Sequence, residues 1–563
     1  MKKILTILIS LAILLSAISA CTNAPDTESN TEGSENNFET VTDPTEEYTE
    51  TETETETETE TETETETETE TDAETDNDIG TLPPVVLSKT PPEDIVTSLA
   101  PNATHINATA ECKMVILQGL NKDDVIKAFT DEDFSRPTVN NVEDAKFETI
   151  VLIKNTYVVT IYAYDNGEIR ILWEDAKYNA AIYLRSNNQT GKSGGTVTNI
   201  GVDRENCNDN PMIGICTVTK LSDGRAIIFD GGCCTDACSS NIYRTLSTLG
   251  IKKNDRGEFV IAMWIFSHSH GDHVGAFEKF GQQHAHATTV EAVMYNIPYD
   301  TNLFAGAGSP KGVETTMATY YPEAKRINPH AGLKYYVGNA TIRMLYTPDI
   351  LIREGHKVAY SNDMSLIFQI EMGGARIMHY GDSGNEASRV MWDAYEATAF
   401  RSDVLQISHH GLYMSNDGKN AGHEWTYARL VYTATMAKYA ILPTHTQNVE
   451  AERNGRYTVL IDWTNRGYQI SFVTDNTDNH GLSSISQAYF ENFVASVEAG
   501  TNTYDTLYGY DGINKIVNSK GLITYMGSAD TYDMVTTFKF YNNEVSVIRN
   551  EKLSDWLKSG MLM

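Results

Sequence analysis

Long apolar runs are scarce in this chain of 563 residues. One apolar run spans residues 4–18, directly after Lys2 and Lys3, and the small residues Ser19 and Ala20 follow it. The run is too short to cross a bilayer comfortably, and no later stretch reaches the roughly 18 apolar residues that a spanning helix needs. The sequence therefore predicts a processing signal at the N-terminus and no further membrane span.

The end of this signal, Ile18-Ser-Ala-Cys21, resembles the lipobox of bacterial lipoproteins. The resemblance implies that residues 1–21 are a lipoprotein signal peptide and that Cys21 becomes the acylated N-terminus. The protein would then be lipid-anchored at the extracellular face of the cell membrane. A plain secretory signal with a chance cysteine is the alternative.

Basic residues are absent from residues 22–80, which hold 23 acidic residues, and Thr and Glu alternate from 49 to 71. Neither residue type builds a core and the like charges repel, so residues 22–82 are predicted to be a disordered, extended tether. Residues 81–563 hold 54 acidic and 41 basic residues, a net charge of −13 out of the total of −34. Tight, sequence-independent nucleic-acid binding needs dense Lys and Arg, so stable binding to nucleic acid is not expected.

Cysteine is also rare, with six residues besides Cys21. An exported protein can form disulfides. Cys207 could pair with Cys216, and Cys238 could pair with Cys233 or Cys234. A soft-metal site made of Cys233, Cys234 and Cys238 is a further alternative.

Four potential metal ligands stand within six residues, in the segment Ser267-His-Ser-His-Gly-Asp-His273. Residues 259–266 before it are apolar and β-prone, which predicts a buried strand that ends at the ligands. Imidazole and carboxylate together suit a borderline metal such as zinc. We expect His268, His270, Asp272 and His273 to hold metal.

Similar residues follow four other predicted strands. Asp230-Gly-Gly232 ends one strand, and its glycines let the backbone approach the site closely. Asp382 ends another, where it could bridge two metals, and His409-His410 follow residues 403–407. His445 ends the last strand, either as a catalytic group or as a core residue.

This succession resembles the metallo-β-lactamase superfamily, whose motif is His-x-His-x-Asp-His, and within it the ComEC-type hydrolase domain. The resembling motifs are residues 268–273, Asn362-x-x-Ser-Leu366, Gly381-Asp382 and Asp403-Val-Leu with His409-His410-Gly411, across roughly 196–480. Leu412 stands where the ComEC branch usually has Ser. No clear counterpart exists for the extra histidine of β-lactam-hydrolysing members; His284 and His286 are the nearest candidates.

The resemblance implies an α/β fold, the metallo-β-lactamase αββα four-layer sandwich, with a small N-terminal α+β domain and the disordered acidic tether. The predicted division is 83–193 for the accessory α+β domain, 194–490 for the hydrolase domain and 491–563 for a C-terminal extension packed on the core. A loop-rich insertion is expected from about 277 to 335.

The predicted cofactor is a pair of divalent metal ions, zinc or alternatively manganese. His268 and His270 would hold one ion with His410 or His409, Asp272 and His273 would hold the other, and Asp382 would bridge. Asp272, His409 and His445 are the candidate proton-transfer groups. The expected function is an exported hydrolase of phosphoesters or phosphodiesters, acting on a small molecule or a cell-wall polymer. The alternatives are a lactone, thioester or β-lactam hydrolase on the same site, or a non-catalytic surface binding protein.

Overall fold

The computed structural model describes residues 90–109, 112–175, 183–184, 193–201, 214–298, 309–353, 358, 361–411, 426–445, 515–517, 523–529 and 532–559. The predicted signal peptide, the lipid attachment at Cys21 and the acidic tether lie outside the described residues. Within the described ranges, no helix is long and apolar enough to cross a membrane.

A first, five-stranded antiparallel sheet has the order β1-β2-β5-β4-β3. Its strands are β1 (Ile106–Asn107), β2 (Cys112–Gln118), β3 (Phe147–Lys154), β4 (Tyr157–Tyr164) and β5 (Glu168–Asp175). Helices α1 (Pro92–Leu99) and α2 (Lys122–Thr130) share an apolar core with one face of this sheet. Asn121 caps α2, as the sequence predicts, because its side chain accepts the Asp123 N–H at 2.8 Å.

The other face of the first sheet is docked onto the rest of the chain through buried polar contacts. Arg170 is fully buried and donates from Nη1 to the carbonyl oxygens of Asp349, at 2.6 Å, and Ile352, at 3.1 Å. The Tyr162 hydroxyl donates to the Asp349 carboxylate at 3.2 Å, and His330 Nδ1 lies 2.8 Å from the same oxygen. Buried polar groups are stable only when they are hydrogen-bonded. These contacts therefore fix the loop at 347–353 against the first sheet.

Two further sheets form the centre of the molecule. The second sheet has the order β12-β11-β9-β8-β7-β6-β21-β22, and β10 pairs with the start of β9. Its strands are β6 (Gly195–Ile200), β7 (Cys216–Lys220), β8 (Ala226–Asp230), β9 (Phe259–Ile265), β10 (Thr288–Val290), β11 (Ala292–Met294), β12 (Lys325–Ile327), β21 (Tyr532–Tyr541) and β22 (Glu544–Lys552).

The third sheet has the order β13-β14-β15-β16-β17-β18-β20-β19. Its strands are β13 (Lys334–Val337), β14 (Ala340–Tyr346), β15 (Ile367–Met372), β16 (Ala375–His379), β17 (Val404–Gln406), β18 (Tyr439–His445), β19 (Lys515–Val517) and β20 (Ile523–Ala529). The antiparallel pairing of Ser528 with Asp533 and of Ala529 with Tyr532 joins β20 to β21, and so joins the two sheets.

The second and third sheets pack face to face, and helices cover their outer faces. In β8, Ile227 and Phe229 enter the core between the sheets, whereas Ile228 enters the core beneath the helices, as the two-residue period of a strand requires. The outer helices are α3 (Asp236–Thr248), α4 (Gly271–His284), α5 (Lys311–Tyr320) and α8 (Leu553–Ser559) on one side, with α6 (Asn385–Ala394) and α7 (Thr426–Thr435) on the other. The predicted αββα four-layer sandwich is confirmed.

The predicted loop-rich insertion at 277–335 is wrong for much of its length. Helix α4 continues to His284, and β10, β11, α5 and β12 follow it. Val313 and Met317, four residues apart, are buried on one face of α5, which is the spacing of an amphipathic helix. The domain boundaries proposed from the sequence stay predictions.

The cysteine pairings that the sequence suggests are wrong. Cys233 is disulfide-bonded, whereas Cys216 and Cys238 are not, so neither the Cys207–Cys216 bridge nor a bridge from Cys238 forms. Cys216 lies opposite Asp230 in the ladder of β7 and β8 and is fully buried in the core. The disulfide also removes Cys233 from the suggested soft-metal site, because a bonded sulfur is not a thiolate ligand.

Candidate metal centre

The second sheet presents Asp230 at the end of β8, in an unusual backbone conformation. Its φ is +51°, and the residue is fully buried. This left-handed conformation is costly for most residues but is tolerated by Asp and Asn. The carboxylate accepts the Ser267 N–H at 2.8 Å and the Ser267 hydroxyl at 2.8 Å, and it lies 2.7 Å from His273 Nδ1. Asp230 therefore ties the end of β8 to the end of β9.

The neighbouring strand β9 ends at Ile265, directly before the histidine-rich turn, as the sequence predicts. The Ser267 hydroxyl lies 3.0 Å from His268 Nδ1, and the rings of His268 and His270 are 4.5 Å apart. Helix α4 begins at Gly271, so Asp272 and His273 stand in its first turn. The helix dipole favours an acidic side chain at that position.

The third sheet contributes Asp382, which follows β16 and is 2% exposed. The turn before it is tight. Gly381 has a φ of +52°, and a Cβ there would lie 2.8 Å from the Ser267 Cβ. The side chain of Gln406 accepts the N–H groups of Tyr380, at 2.6 Å, and Gly381, at 2.8 Å. A side chain on β17 therefore holds the turn that carries Asp382.

His409 and His410 follow β17 with two consecutive left-handed residues, at φ values of +48° and +53°. This geometry buries His410 completely and leaves His409 half-buried. His410 Nδ1 lies 2.8 Å from the carbonyl oxygen of Pro443 in β18. A carbonyl only accepts hydrogen bonds, so Nδ1 carries a proton and Nε2 points elsewhere.

Four side chains from these segments form a compact cluster: Asp272, His273, Asp382 and His410, with one ligand atom of each within 4.8 Å of the others. Asp272 Oδ2 lies 3.1 Å from His410 Nε2 and 3.8 Å from His273 Nε2. Asp382 Oδ2 lies 3.1 Å from His273 Nε2, 3.4 Å from His410 Nε2 and 4.0 Å from His268 Nε2. Asp382 is thus central in the cluster.

The two carboxylates dominate the electrostatics of the cluster. Burial lowers the pKa of His410, but the nearby Asp382 and Asp272 carboxylates outweigh that effect and raise the pKa to about 10. Burial acts on His273 in the same way, and its carboxylate neighbours raise its pKa well above the usual value. His268 differs, because burial and the other histidines hold its pKa well below the usual range.

The orientation of the rings fits a metal site. The Nδ1 atoms of His268, His273 and His410 contact Ser267, Asp230 and Pro443 respectively, so each Nε2 is directed to the cluster. Among the described residues, His268 Nε2 and Asp382 Oδ1 are buried without a hydrogen-bond partner. Buried atoms of this kind destabilise the fold unless they bind an ion or water. Imidazole rings whose Nδ1 is hydrogen-bonded, together with carboxylates, are the ligands that zinc commonly has in proteins.

The structure brings most of the metal ligands predicted from the sequence close together. Five of the six predicted metal ligands, His268, Asp272, His273, Asp382 and His410, lie within 4.0 Å of another of the five. The grouping differs from the expectation, because His410 lies with Asp272 and His273. The sixth, His270, lies beside His268, and its Nε2 is 3.3 Å from the Ser361 hydroxyl.

The candidate proton-transfer residues are less closely grouped. The His409 ring centre is 6.1 Å from that of His410. The backbone of His445 ends β18 and pairs with Ser528, while its side chain lies outside the described residues. His284, a candidate extra ligand, stacks on Tyr243 at 4.2 Å instead. The roles of Asp272, His409 and His445 in catalysis stay predictions.

Ser267 and Gln406 support the site and were not singled out from the sequence. Ser267 contacts Asp230, His268 and His273 through one hydroxyl. Gln406 offered a sequence signal, because it is a polar amide inside the apolar run of residues 404–407. Ser267 offered none, since a serine beside a histidine is common.

No protein-family model and no curated protein matches this chain. Among solved structures, the metallo-β-lactamase fold protein YhfI from Bacillus subtilis is 16% identical, covering 44% of this chain and 85% of its own, at a TM-score of 0.27. Zn²⁺-bound PqqB from Methylobacterium extorquens is 12% identical, with coverages of 38% and 72% and a TM-score of 0.25. The metallo-β-lactamase superfamily protein ST1585 from Sulfolobus tokodaii is 15% identical, with coverages of 33% and 62% and a TM-score of 0.18. Two of these structural neighbours, YhfI and ST1585, are metallo-β-lactamase proteins by their descriptions.

Proposed function

We propose that this protein is a metal-dependent hydrolase with a two-metal site, acting on phosphoesters or phosphodiesters outside the cell. One observation carries the proposal. Two buried ligand atoms, His268 Nε2 and Asp382 Oδ1, lie in the cluster without hydrogen-bond partners among the described residues. Protein interiors rarely tolerate such atoms unless they bind something.

Asp272, His273, Asp382 and His410 would hold one ion, and His268 and His270 would hold a second that shares Asp382. A divalent cation bound there supplies Lewis-acid activation of water and of the substrate oxygen. The carboxylates of Asp272 and Asp382 alone would repel an anionic phosphate, and bound cations reverse that sign. This charge reversal is the reason for preferring phosphoester substrates in an acidic protein.

The residues around the metals have distinct tasks. Asp230 holds the Nδ1 proton of His273 and so keeps Nε2 free to bind. The Asp272 side chain is 17% exposed, against 2% or less for Asp382, His273 and His410. Asp272 is therefore the carboxylate that an incoming water can reach, and it is placed to accept a proton. His409 and His445 are the candidates for donating a proton to the leaving group.

The test is an assay panel on the full-length protein with zinc or manganese. The substrates are bis-p-nitrophenyl phosphate, p-nitrophenyl phosphorylcholine, nitrocefin and a lactone. We expect turnover of a phosphoester, and we expect Asp382→Asn to abolish it. Asp131→Asn, at an exposed position on another part of the surface, is the matched control and should retain full activity.

Two outcomes would contradict the proposal. Turnover of nitrocefin or the lactone without any phosphodiester turnover would assign the site to acyl chemistry. Absence of bound metal by elemental analysis, after supplementation with zinc or manganese, would favour a binding protein without catalysis.

The proposed location rests on the sequence alone. We infer that Cys21 carries a lipid and that the acidic tether spaces the folded part from the membrane. A cell-wall polymer or an extracellular nucleotide is then within reach of the site. Metabolic labelling with an alkyne fatty acid, compared between the wild type and Cys21→Ser, tests the anchor directly.

A further inference from the structure

His270 differs from the other three histidines of the proposed metal centre in the ring nitrogen that the protein contacts. In the other three, the contacted nitrogen is Nδ1, and Nε2 is directed to the cluster. In His270 the contacted nitrogen is Nε2, which lies 3.3 Å from the Ser361 hydroxyl oxygen. Nδ1 is therefore the nitrogen of His270 that is left for an ion.

Ser361 lies on a turn that runs along the metal centre. It begins a 3₁₀ turn of four residues, 91 positions along the sequence from the histidine that it contacts. The Met364 sulfur at the end of this turn accepts the Ser269 hydroxyl at 3.8 Å. Two residues further on, the Leu366 N–H donates to the Ser267 carbonyl oxygen at 3.0 Å. These contacts tie the turn to the histidine-rich segment.

The same turn is also held from the side of the fold. The Tyr346 hydroxyl donates to the Asp363 carbonyl oxygen at 2.5 Å, and the Asp363 carboxylate accepts the Ala387 N–H at 3.0 Å. Asp363 is 1% exposed, whereas Ser361 is half-buried. The backbone beneath the Ser361 hydroxyl is therefore fixed before any ion binds, and a group held in place in this way orders a ligand at little entropic cost.

We propose that Ser361 is a positioning residue of the metal centre, whose hydroxyl accepts a hydrogen bond from His270 Nε2–H and so directs His270 Nδ1 to the ion. A neutral imidazole that binds an ion through one nitrogen carries its proton on the other, and the partner of that proton fixes the tautomer and the ring orientation. The inference rests on the proposed metal site, but it does not depend on which substrate is hydrolysed.

The effect of losing this hydroxyl should fall on one ion only. In the proposed arrangement His270 belongs to the ion that has His268, His270 and Asp382 as ligands, and the other ion has four protein ligands. Loss of a partner that orients a ligand lowers metal affinity by about 10- to 100-fold. His270 is half-buried, so a water molecule can replace the hydroxyl in part. We therefore expect a loss of about tenfold, at the lower end of that range.

The test is zinc binding by the full-length protein, measured by competition with a chromophoric chelator. Ser361→Ala should weaken the affinity for one zinc ion about tenfold and leave the affinity for the other unchanged. Ser361→Thr keeps the hydroxyl and should bind both ions like the wild type. With cobalt in place of zinc, the visible absorption of the more weakly bound ion should change in Ser361→Ala and be restored in Ser361→Thr.

Ser269→Ala is the matched control, because Ser269 is also a half-buried serine beside His270, but its hydroxyl contacts the Met364 sulfur and no imidazole nitrogen. It should bind both zinc ions like the wild type. Fewer than two bound ions in the wild type would contradict the two-metal site itself. Two bound ions in the wild type, with the same affinities in Ser361→Ala, would overturn the role of Ser361 alone. A loss in Ser361→Thr or Ser269→Ala as large as that in Ser361→Ala would also overturn it.

Discussion

Replacing Asp230 by Asn tests whether a carboxylate that contacts a proposed ligand histidine, and not the metal itself, controls metal binding. Asn tolerates the left-handed backbone at this position and keeps one acceptor oxygen. That oxygen must face the Ser267 N–H, because a backbone N–H can only donate a hydrogen bond. The amide NH₂ then faces His273 Nδ1, which in the wild type lies 2.7 Å from a carboxylate oxygen of Asp230. Two donors cannot share this contact, so the His273 proton moves to Nε2, where it blocks the metal.

The magnitude follows from these contacts. Loss of a partner that orients a ligand lowers metal affinity by about 10- to 100-fold, which is about 1.4–2.7 kcal/mol. In the metal-free protein, a hydrogen bond to a charged group, which contributes about 1.5–3 kcal/mol to stability, is replaced by one between neutral groups, which contributes about 0.5–1.5 kcal/mol. We therefore expect Asp230→Asn to bind zinc about 10- to 100-fold more weakly and to unfold at lower urea concentration.

Zinc affinity is measured by competition with a chromophoric chelator, and stability by urea unfolding in the presence of excess chelator. Asp363→Asn is the matched control. Asp363 is also buried, its pKa is raised to about 7 by that burial, and its Oδ1 accepts the Ala387 N–H at 3.0 Å. Asn keeps that acceptor, so zinc affinity should not change. Unaltered zinc affinity in Asp230→Asn would refute the tautomer argument.

Three further comparisons of variants probe the fold around the site. His379→Leu should raise the free energy of unfolding by about 1–3 kcal/mol, because both ring nitrogens are buried without a hydrogen-bond partner among the described residues. Burial lowers the pKa of His379 to about 3, so below about pH 6.5 the unfolded chain binds a proton that the folded chain does not. Wild-type stability should therefore fall further than that of His379→Leu between pH 7 and pH 5, and equal losses in urea unfolding would contradict this. Gly381→Ala should lower the free energy of unfolding by at least about 2 kcal/mol, from left-handed backbone strain and overpacking. Gly119→Ala should lower it by the backbone contribution alone, because Gly119 has φ +77° and no atom lies within 4 Å of the added Cβ. Thermal unfolding of both variants measures the difference. His409→Gly should be more stable than His409→Ala by about 1 kcal/mol, because residue 409 has φ +48°, and identical melting temperatures would argue against backbone strain there.

The ends of the strands were predictable from the sequence because their signal is local. The apolar run of β9 stops directly before the histidines, and β16 stops before Gly381-Asp382. A strand of this kind buries its backbone groups in the sheet and leaves its end as the place where polar side chains can meet. The sequence therefore indicated most of the residues that the structure brings together, before any contact was known.

The grouping of those residues was not predictable, because it depends on which strands are neighbours. His410 reaches Asp272 because β17, only three residues long, pairs in parallel with β16 on one side and β18 on the other. Three residues carry almost no periodic signal. The docking of the first sheet was missed for a related reason, since Arg170 shows its buried partners only when the loop at 347–353 is folded against it.

The pairing of β21 with β6 also sets the order in which the chain can fold. Thr198 and Thr537 touch through their hydroxyls at 3.1 Å although 339 positions separate them in the sequence. At a synthesis rate of about 5–20 residues per second, β6 waits roughly 20–70 s for its partner strand to be made. During that time its unpaired edge is open to other chains. A product that stops 35 residues early would contain every proposed metal ligand, and yet it would lack the strand that closes the second sheet.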